Sequence, residues 1–279
     1  RTRQRDIFMG DDQDLHRIKE HWDRDGLSQA IYNVLIASGK PLDALTIDDL
    51  APLDQFHRGS KGFTSRLARL ANLKPGMKIL DVGGGLGGPA RTLAVEFGCH
   101  VTVVDIAESY VLAGRMLTDL MRLNDHVTHQ VGSALELPFE DQSFDAVWTQ
   151  NSGMNIMDKE RLYAEIHRVL RPSGLLVTQE PMAGPNQPLI FPVMWSRDGT
   201  GNFLRKPEEI RDLIETTGFQ TLKWDDVTKE KSAAPGTTNA HTIQSLVMGA
   251  DLLAEIRKAD KRNDEEDRTA MVQAVFKRL

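Results

Sequence analysis

One cysteine, Cys99, is the chain's whole thiol complement. No internal disulfide can form, and a reducing cytoplasm is the expected compartment. Positive charge is not in excess: 34 Lys and Arg stand against 40 Asp and Glu, a formal net charge of −6. The basic footprint that nucleic acid or an anionic membrane requires is missing, so neither is expected as a partner. No apolar run approaches the roughly 20 residues of a membrane-spanning helix. Ligand clusters are lacking too. His16 with His21, and His126 with His129, have no convergent Cys, Asp or Glu at ligand spacing. They read as solvated surface, and no metal is expected. The sequence starts at Arg1 rather than Met, so a trimmed start stays open.

What is present is an ordinary globular composition, with 279 residues, 40 % hydrophobic and 27 % charged. That is enough for a full α/β core with a cap or insertion beside it. The informative stretch is Lys78 to Gly88, Lys-Ile-Leu-Asp-Val-Gly-Gly-Gly-Leu-Gly-Gly. Ile79, Leu80 and Val82 suit a strand buried on both faces, and Pro89 suits the first turn of a helix. Strand, glycine turn and helix together make a cradle for a ligand.

Gly83, Gly85 and Gly88 also satisfy the dinucleotide fingerprint. Asp81 argues against that reading, because a carboxylate would repel a pyrophosphate in a partly dry site. S-adenosylmethionine (SAM) carries an ammonium and a sulfonium and no phosphate, so an acid at the turn suits it. A second strand, His100 to Asp105, ends in another acid, placed to accept both ribose hydroxyls. The bland alternative is that both acids only cap loops.

The rest of the chain reads as alternating strands and helices. Helices are expected around Leu15–Trp22, Ile31–Leu35, Phe63–Ala71, Ser109–Leu123, Asp158–Leu170 and Pro207–Thr217. Strands are expected at Val127–Val131, Phe144–Gln150, Leu175–Glu180 and Phe219–Val227. The implied fold is Rossmann-like and doubly wound: a mostly parallel sheet, helices on both faces, an N-terminal helical lid and an insertion after the fifth strand. The expected divisions are residues 1–72 for cap and lid, 73–240 for the core, and 241–279 for a helical C-terminal segment. Residues 1–13 read as frayed and 228–240 as a loose connection. The insertion, 181–203, carries Met182, Phe191, Met194 and Trp195 among prolines. So many large apolar side chains in an irregular segment point to a pocket wall, with core packing as the plainer account.

Asp81-x-Gly83-x-Gly85-x-Gly87 and Asp105 resemble the class I SAM-dependent methyltransferases, and the likeness runs over roughly residues 50–230. Leu137-Pro138-Phe139, Ser143-Phe144-Asp145 and Arg168-Val169-Leu170-Arg171-Pro172-x-Gly174 resemble the branch that acts on small molecules. Phe56-His57-x-Gly59, Gly87-Gly88-Pro89-Ala90-Arg91, Met154-Asn155-Ile156-x-Asp158-Lys159 and Trp224-Asp225-Asp226-Val227-Thr228 resemble the sarcosine/dimethylglycine N-methyltransferase group and its natural-product relatives.

The resemblance implies SAM as cofactor, S-adenosylhomocysteine (SAH) as product and a small organic acceptor. It places Asp81, Gly83, Gly85, Gly87, Asp105, Ile106, Ser133, Ala134, Leu135 and Gln150 at the cofactor. Ser133 stands where relatives often carry Asp, so adenine would be held by hydroxyl, backbone and packing, between Ile106 and Leu135. Gln55, Phe56, Asn151, Met154 and Trp195 are the candidate acceptor contacts, and His57 and His241 are the candidate bases. The family's last antiparallel strand gives no signal near the C-terminus, so the sheet is expected to be incomplete. Transfer to an amine is the first functional reading. Transfer to oxygen or carbon of a natural-product or isoprenoid-like acceptor is the second, and a non-catalytic SAM-binding domain a remote third. A homodimer stays open.

Overall fold

The structure is a computed structural model that describes residue 16, residues 18–230 and residues 243–279. Leu15, His241, residues 1–13 and most of 228–240 lie outside the described residues. The sheet has seven strands: β1 (Lys78–Val82), β2 (His100–Asp105), β3 (Val127–Val131), β4 (Phe144–Gln150), β5 (Leu170–Ala183), β6 (Phe219–Asp226) and β7 (Thr269–Arg278). Their order is β3-β2-β1-β4-β5-β7-β6. All neighbours pair in parallel except β7, which runs antiparallel to both β5 and β6. The strand order reverses between β1 and β4, and a crevice opens there at the strands' carboxyl ends.

Nine helices frame the sheet among the described residues: α1 (Leu27–Ala37), α2 (Ile47–Asp54), α3 (Ser60–Leu70), α4 (Gly88–Phe97), α5 (Glu108–Leu120), α6 (Lys159–Val169), α7 (Pro207–Thr216), α8 (Ile243–Met248) and α9 (Ala250–Glu265). Side-chain caps set two of their starts. Thr46 and Asp49 form a capping box at α2, and Asp158 accepts from the Arg161 amide, 2.8 Å away, at α6. On one face of the sheet Leu80, Val147 and Phe276 pack under α6 and α7 through Leu162, Ile166 and Ile214. On the other, Ile79, Val101 and Trp148 pack under α3 and α4 through Leu67 and Leu93.

Two expectations are corrected. The C-terminal segment is not wholly helical, and the sheet is not incomplete, because β7 inserts between β5 and β6. Met271 to Phe276 are buried without a break. A strand covered on both faces shows no polar alternation, and its Ala, Met, Gln, Lys and Arg are good helix formers. The insertion is also shorter than expected: β5 continues through Ala183, and Met182 belongs to the main core, the plainer of the two accounts.

His129 also departs from expectation. It is 6 % exposed beneath the glycine turn, with Nε2 2.9 Å from Thr118 Oγ1 and no partner on Nδ1. Burial, then Arg91 and Arg115, hold its pKa at about 3. Its folded value lies below the ~6.5 of an unfolded histidine. The unfolded chain therefore binds the extra proton first, and stability is full above about pH 6.5 and falls as pH drops toward 3. We expect His129→Asn to remove on the order of 2 kcal/mol of the stability lost between pH 7 and pH 5. Denaturant melts at the two pH values check this, and an unchanged difference would refute it. His21 is likewise not a solvated group: its ring nitrogen sits 3.3 Å from the Met194 carbonyl oxygen, and burial lowers its pKa.

Candidate active site

The glycine turn works by close approach. Gly85 has φ +55° and gives its amide to Asp105 Oδ2 at 2.9 Å. The Ala107 amide reaches Asp105 Oδ1, also at 2.9 Å, so this carboxylate is fixed at the end of β2. At Gly88, a Cβ would lie 2.2 Å from the Asp54 carbonyl oxygen, so only glycine lets α2 end against α4.

A cavity opens above this turn. It is lined by Asp81, Gly83, Gly85, Asp105, Ile106, Ser133, Ala134, Leu135 and Gln150, nine of the ten positions assigned to the cofactor. Gly87 is the exception. It caps α4 at φ +74°, where a Cβ would meet His129 Cε1 at 2.5 Å, and it faces away from the cavity. Ser133 Oγ accepts the Leu135 amide at 3.2 Å and so shapes the loop. Asp81 is 1 % exposed, and neither carboxyl oxygen has a hydrogen-bond partner. Burial, then Asp105, push its pKa up to about 8. A buried acid without a donor fits a ligand that brings a cation.

A second cavity, about 650 Å³ in volume, adjoins the first and shares Trp22, Phe56, His57 and Asn151 with it. Phe56, Asn151, Met154 and Trp195, four of the five expected acceptor contacts, line it. Gln55 does not. It is 3 % exposed and turned toward α4, its Nε2 donating to Thr92 Oγ1 at 3.2 Å. The apolar wall is built on Met154, Leu189, Val193 and Trp195. The N-terminal helices divide their work. Leu27, Ile31 and Leu35 pack α1 among Tyr110, Ala113 and Leu117 of α5, while Trp22 overhangs both cavities.

His57 sits at the junction with both ring nitrogens engaged. Nε2 is 2.8 Å from Gln55 Oε1, and Nδ1 is 3.1 Å from Gln150 Nε2. The indole of Trp148 donates to Gln150 Oε1 at 3.1 Å, so the Gln150 amide nitrogen turns to the imidazole. Burial holds the His57 pKa at about 4. It is uncharged near neutral pH and a poor proton acceptor.

The loop after β4 is pinned from below. Glu180 takes the Ser152 amide at 3.1 Å and the Gly153 amide at 3.0 Å. Lys159, 3 % exposed, donates to the carbonyls of Gly153 (2.8 Å), Ile156 and Phe203 (3.0 Å). Burial pushes Glu180 up to about 7 and pulls Lys159 down to about 8. Above this pair, Asn151 holds φ +57°, and its buried Oδ1 has no partner. A strained residue with an unsatisfied acceptor at the meeting of two cavities marks a ligand position.

Residues 80–178 match the family described as a methyltransferase domain. A sarcosine/dimethylglycine N-methyltransferase of Halorhodospira halochloris is 30 % identical over 228 residues, covering 79 % of this chain and 78 % of that protein. The chain is a class I SAM-dependent methyltransferase. A glycine/sarcosine/dimethylglycine N-methyltransferase of Actinopolyspora halophila is 30 % identical over 184 residues, covering 64 % of this chain and 32 % of that longer protein. The geranyl diphosphate C-methyltransferase of Streptomyces coelicolor A3(2), solved with SAH, has a TM-score of 0.66 at 19 % identity, with coverage of 95 % and 98 %. That likeness shows the shared fold.

This methyltransferase uses SAM and acts on small molecules. Among the described residues, no helix is long and apolar enough to cross a membrane, and no cluster could hold a metal ion. Sequence reasoning missed three polar groups that face the methyltransferase's cavities. Asp54 Oδ1 and the Tyr110 hydroxyl are buried, unpartnered and on the first cavity, and Asp260 is on the second. Asp54 closes α2 two residues before the Phe56-His57-x-Gly59 motif, whereas nothing local to Tyr110 or Asp260 distinguishes it from any other helix residue.

Proposed function

We propose that the methyltransferase transfers the methyl group to an amine nitrogen. The observation that carries this reading is Asn151, which lines both cavities and whose buried Oδ1 has no hydrogen-bond partner. An acceptor oxygen beside that junction takes a hydrogen from the nucleophile and aligns it, and the weakly basic His57 favours an amine over a hydroxyl, which would need a base. Bound SAM supplies a methyl carbon already activated for displacement. Asp81 would hold the cofactor's cationic end and Asp105 its ribose, with Ile106 and Leu135 flanking the adenine.

The chain's own contribution is then position and dryness. Trp22 and Phe56 cover the junction, excluding water. Glu180 and Lys159 hold the loop that presents Asn151. His57 and Gln150 hold each other as an uncharged wall, which suits an amine because a neutral amine needs no strong base. The names of the relatives quoted above, two of them N-methyltransferases, support this reading. Met154, Met194, Leu253 and Ile256 give the second cavity an apolar side. That favours carbon methylation of an isoprenoid-like acceptor as the second reading.

Labelled SAM offered with panels of amines, phenols and enolisable compounds tests the proposal. Amines are expected to be labelled on nitrogen. Asn151→Ala should lower kcat/KM by about ten- to a hundredfold while SAM affinity stays within about threefold. Label found only on carbon or oxygen would sink the amine reading.

A further inference from the structure

Most polar groups around the second cavity are already committed to the protein. The Trp22 indole donates to Asn155 Oδ1 at 3.0 Å, and the Trp195 indole to Asn202 Oδ1 at 2.8 Å. Asn263 exchanges both ends of its amide with the backbone of Ile190, each at 2.9 Å. Arg58 grips Asp264 through two hydrogen bonds, of 3.2 and 2.9 Å. Asp260 stands one turn before Asp264 on α9, half-buried in the same wall. No hydrogen bond or ion pair reaches it among the described residues; Asp264 and Arg58 act on it only through their charges. Arg257, one turn further back, is exposed and also lines the cavity, without an ion pair among the described residues, but it is not among the charges that act on Asp260.

The cavity therefore sets the rings of Trp22, Phe56 and Trp195, whose two indole N–H groups are spent, beside one half-buried free carboxyl, with the Arg257 guanidinium in a more exposed part of the lining. That combination recognises a positively charged nitrogen. Asp260 is not among the residues shared by the two cavities, so it meets a part of the acceptor away from the reacting atom. We infer that Asp260 is a specificity-determining residue that binds a second, cationic nitrogen of the acceptor, which makes the substrate a diamine or a related molecule with two separated amino groups. The inference rests on the amine reading above. Burial and the neighbouring Asp264 push the Asp260 carboxyl up to about 7, and an incoming cation would draw it into its charged form.

The test compares N-methylbutylamine with its isostere that carries a terminal ammonium in place of the last methyl group. Both are titrated calorimetrically into the SAH-loaded enzyme. The wild type should bind the diamine at least about tenfold more tightly. Asp260→Asn should erase that preference while leaving SAH affinity within about twofold, and Asp260→Glu should restore most of it. Equal wild-type affinities, no measurable binding of either probe, or a preference that survives in Asp260→Asn would overturn the assignment. Turnover with labelled SAM is read separately. Methyl transfer confined to oxygen or carbon acceptors would refute the amine reading, whereas unchanged probe selectivity in Asp260→Asn would refute only the role of Asp260.

Discussion

Asp81→Asn is expected to weaken SAM binding by about a hundredfold and, at the same time, to stabilise the cofactor-free fold at alkaline pH. Both effects follow from a carboxyl that is 1 % exposed and has no hydrogen-bond donor. In a desolvated site a charge-assisted contact is worth about 1.5–3 kcal/mol, and leaving the cationic ligand without its counter-charge adds to that. The stability effect has the opposite sign. The folded-state pKa is raised to about 8, above the ~3.9 of an unfolded aspartate. Between those values the folded protein holds a proton that the unfolded chain has released. Stability therefore falls as pH rises toward 8, by up to roughly 5–6 kcal/mol in all. Asparagine does not ionise and escapes this penalty. The same proton must leave when a cation binds, so wild-type SAM affinity should drop as pH falls below about 8, and the variant's should not. Calorimetric titrations and denaturant melts at pH 6, 7, 8 and 9 read all three effects. A variant that binds within threefold of wild type, with the same pH slope, would show that Asp81 does not meet the cation.

Residues whose position is set locally are legible in the amino-acid sequence alone. Asp81 and Asp105 each end a short apolar strand, and the glycines between them leave one way for the chain to turn. Asn151 is legible for the same reason, as the first residue beyond a strand's carboxyl end. Residues that depend on what packs above them are not. β7 is hidden because full burial removes alternation. His129 carries a local signal that spacing to other histidines obscures: it shares its side of β3 with the buried Val127, while Thr128 is exposed. Asp260 reaches the second cavity only because α9 lies across the site, and helix periodicity does not tell that solvated-looking stretch from a cavity wall. Gln55 shows the converse error: a polar residue in the right loop points to α4 because the side chain of its neighbour Phe56 takes the cavity.

Arg91→Met is expected to destabilise the methyltransferase by about 3–5 kcal/mol, the largest loss of stability foreseen for a single substitution here. Arg91 is 0 % exposed on α4. Its guanidinium meets Asp54 Oδ2 at 2.9 and 3.3 Å, the Leu86 carbonyl at 2.6 Å, the Gly114 carbonyl at 3.3 Å and Thr118 Oγ1 at 3.1 Å. One side chain thus ties the glycine turn and α5 to the end of α2. Methionine fills much of the volume but leaves the Asp54 carboxyl buried without a counter-charge, and burial already pushes that carboxyl's pKa up. The loss is mainly that of an abandoned charge rather than of a favourable pair. The double variant Arg91→Met with Asp54→Leu should accordingly recover at least half of the stability. It should not recover SAM binding fully, because Asp54 lines the cofactor cavity. Urea melts of the two single variants and the double variant close the cycle, with SAM titrations alongside. If the double variant proves no more stable than Arg91→Met, the hydrogen bonds to Leu86, Gly114 and Thr118 outweigh the ion pair, and it is those bonds that hold the turn.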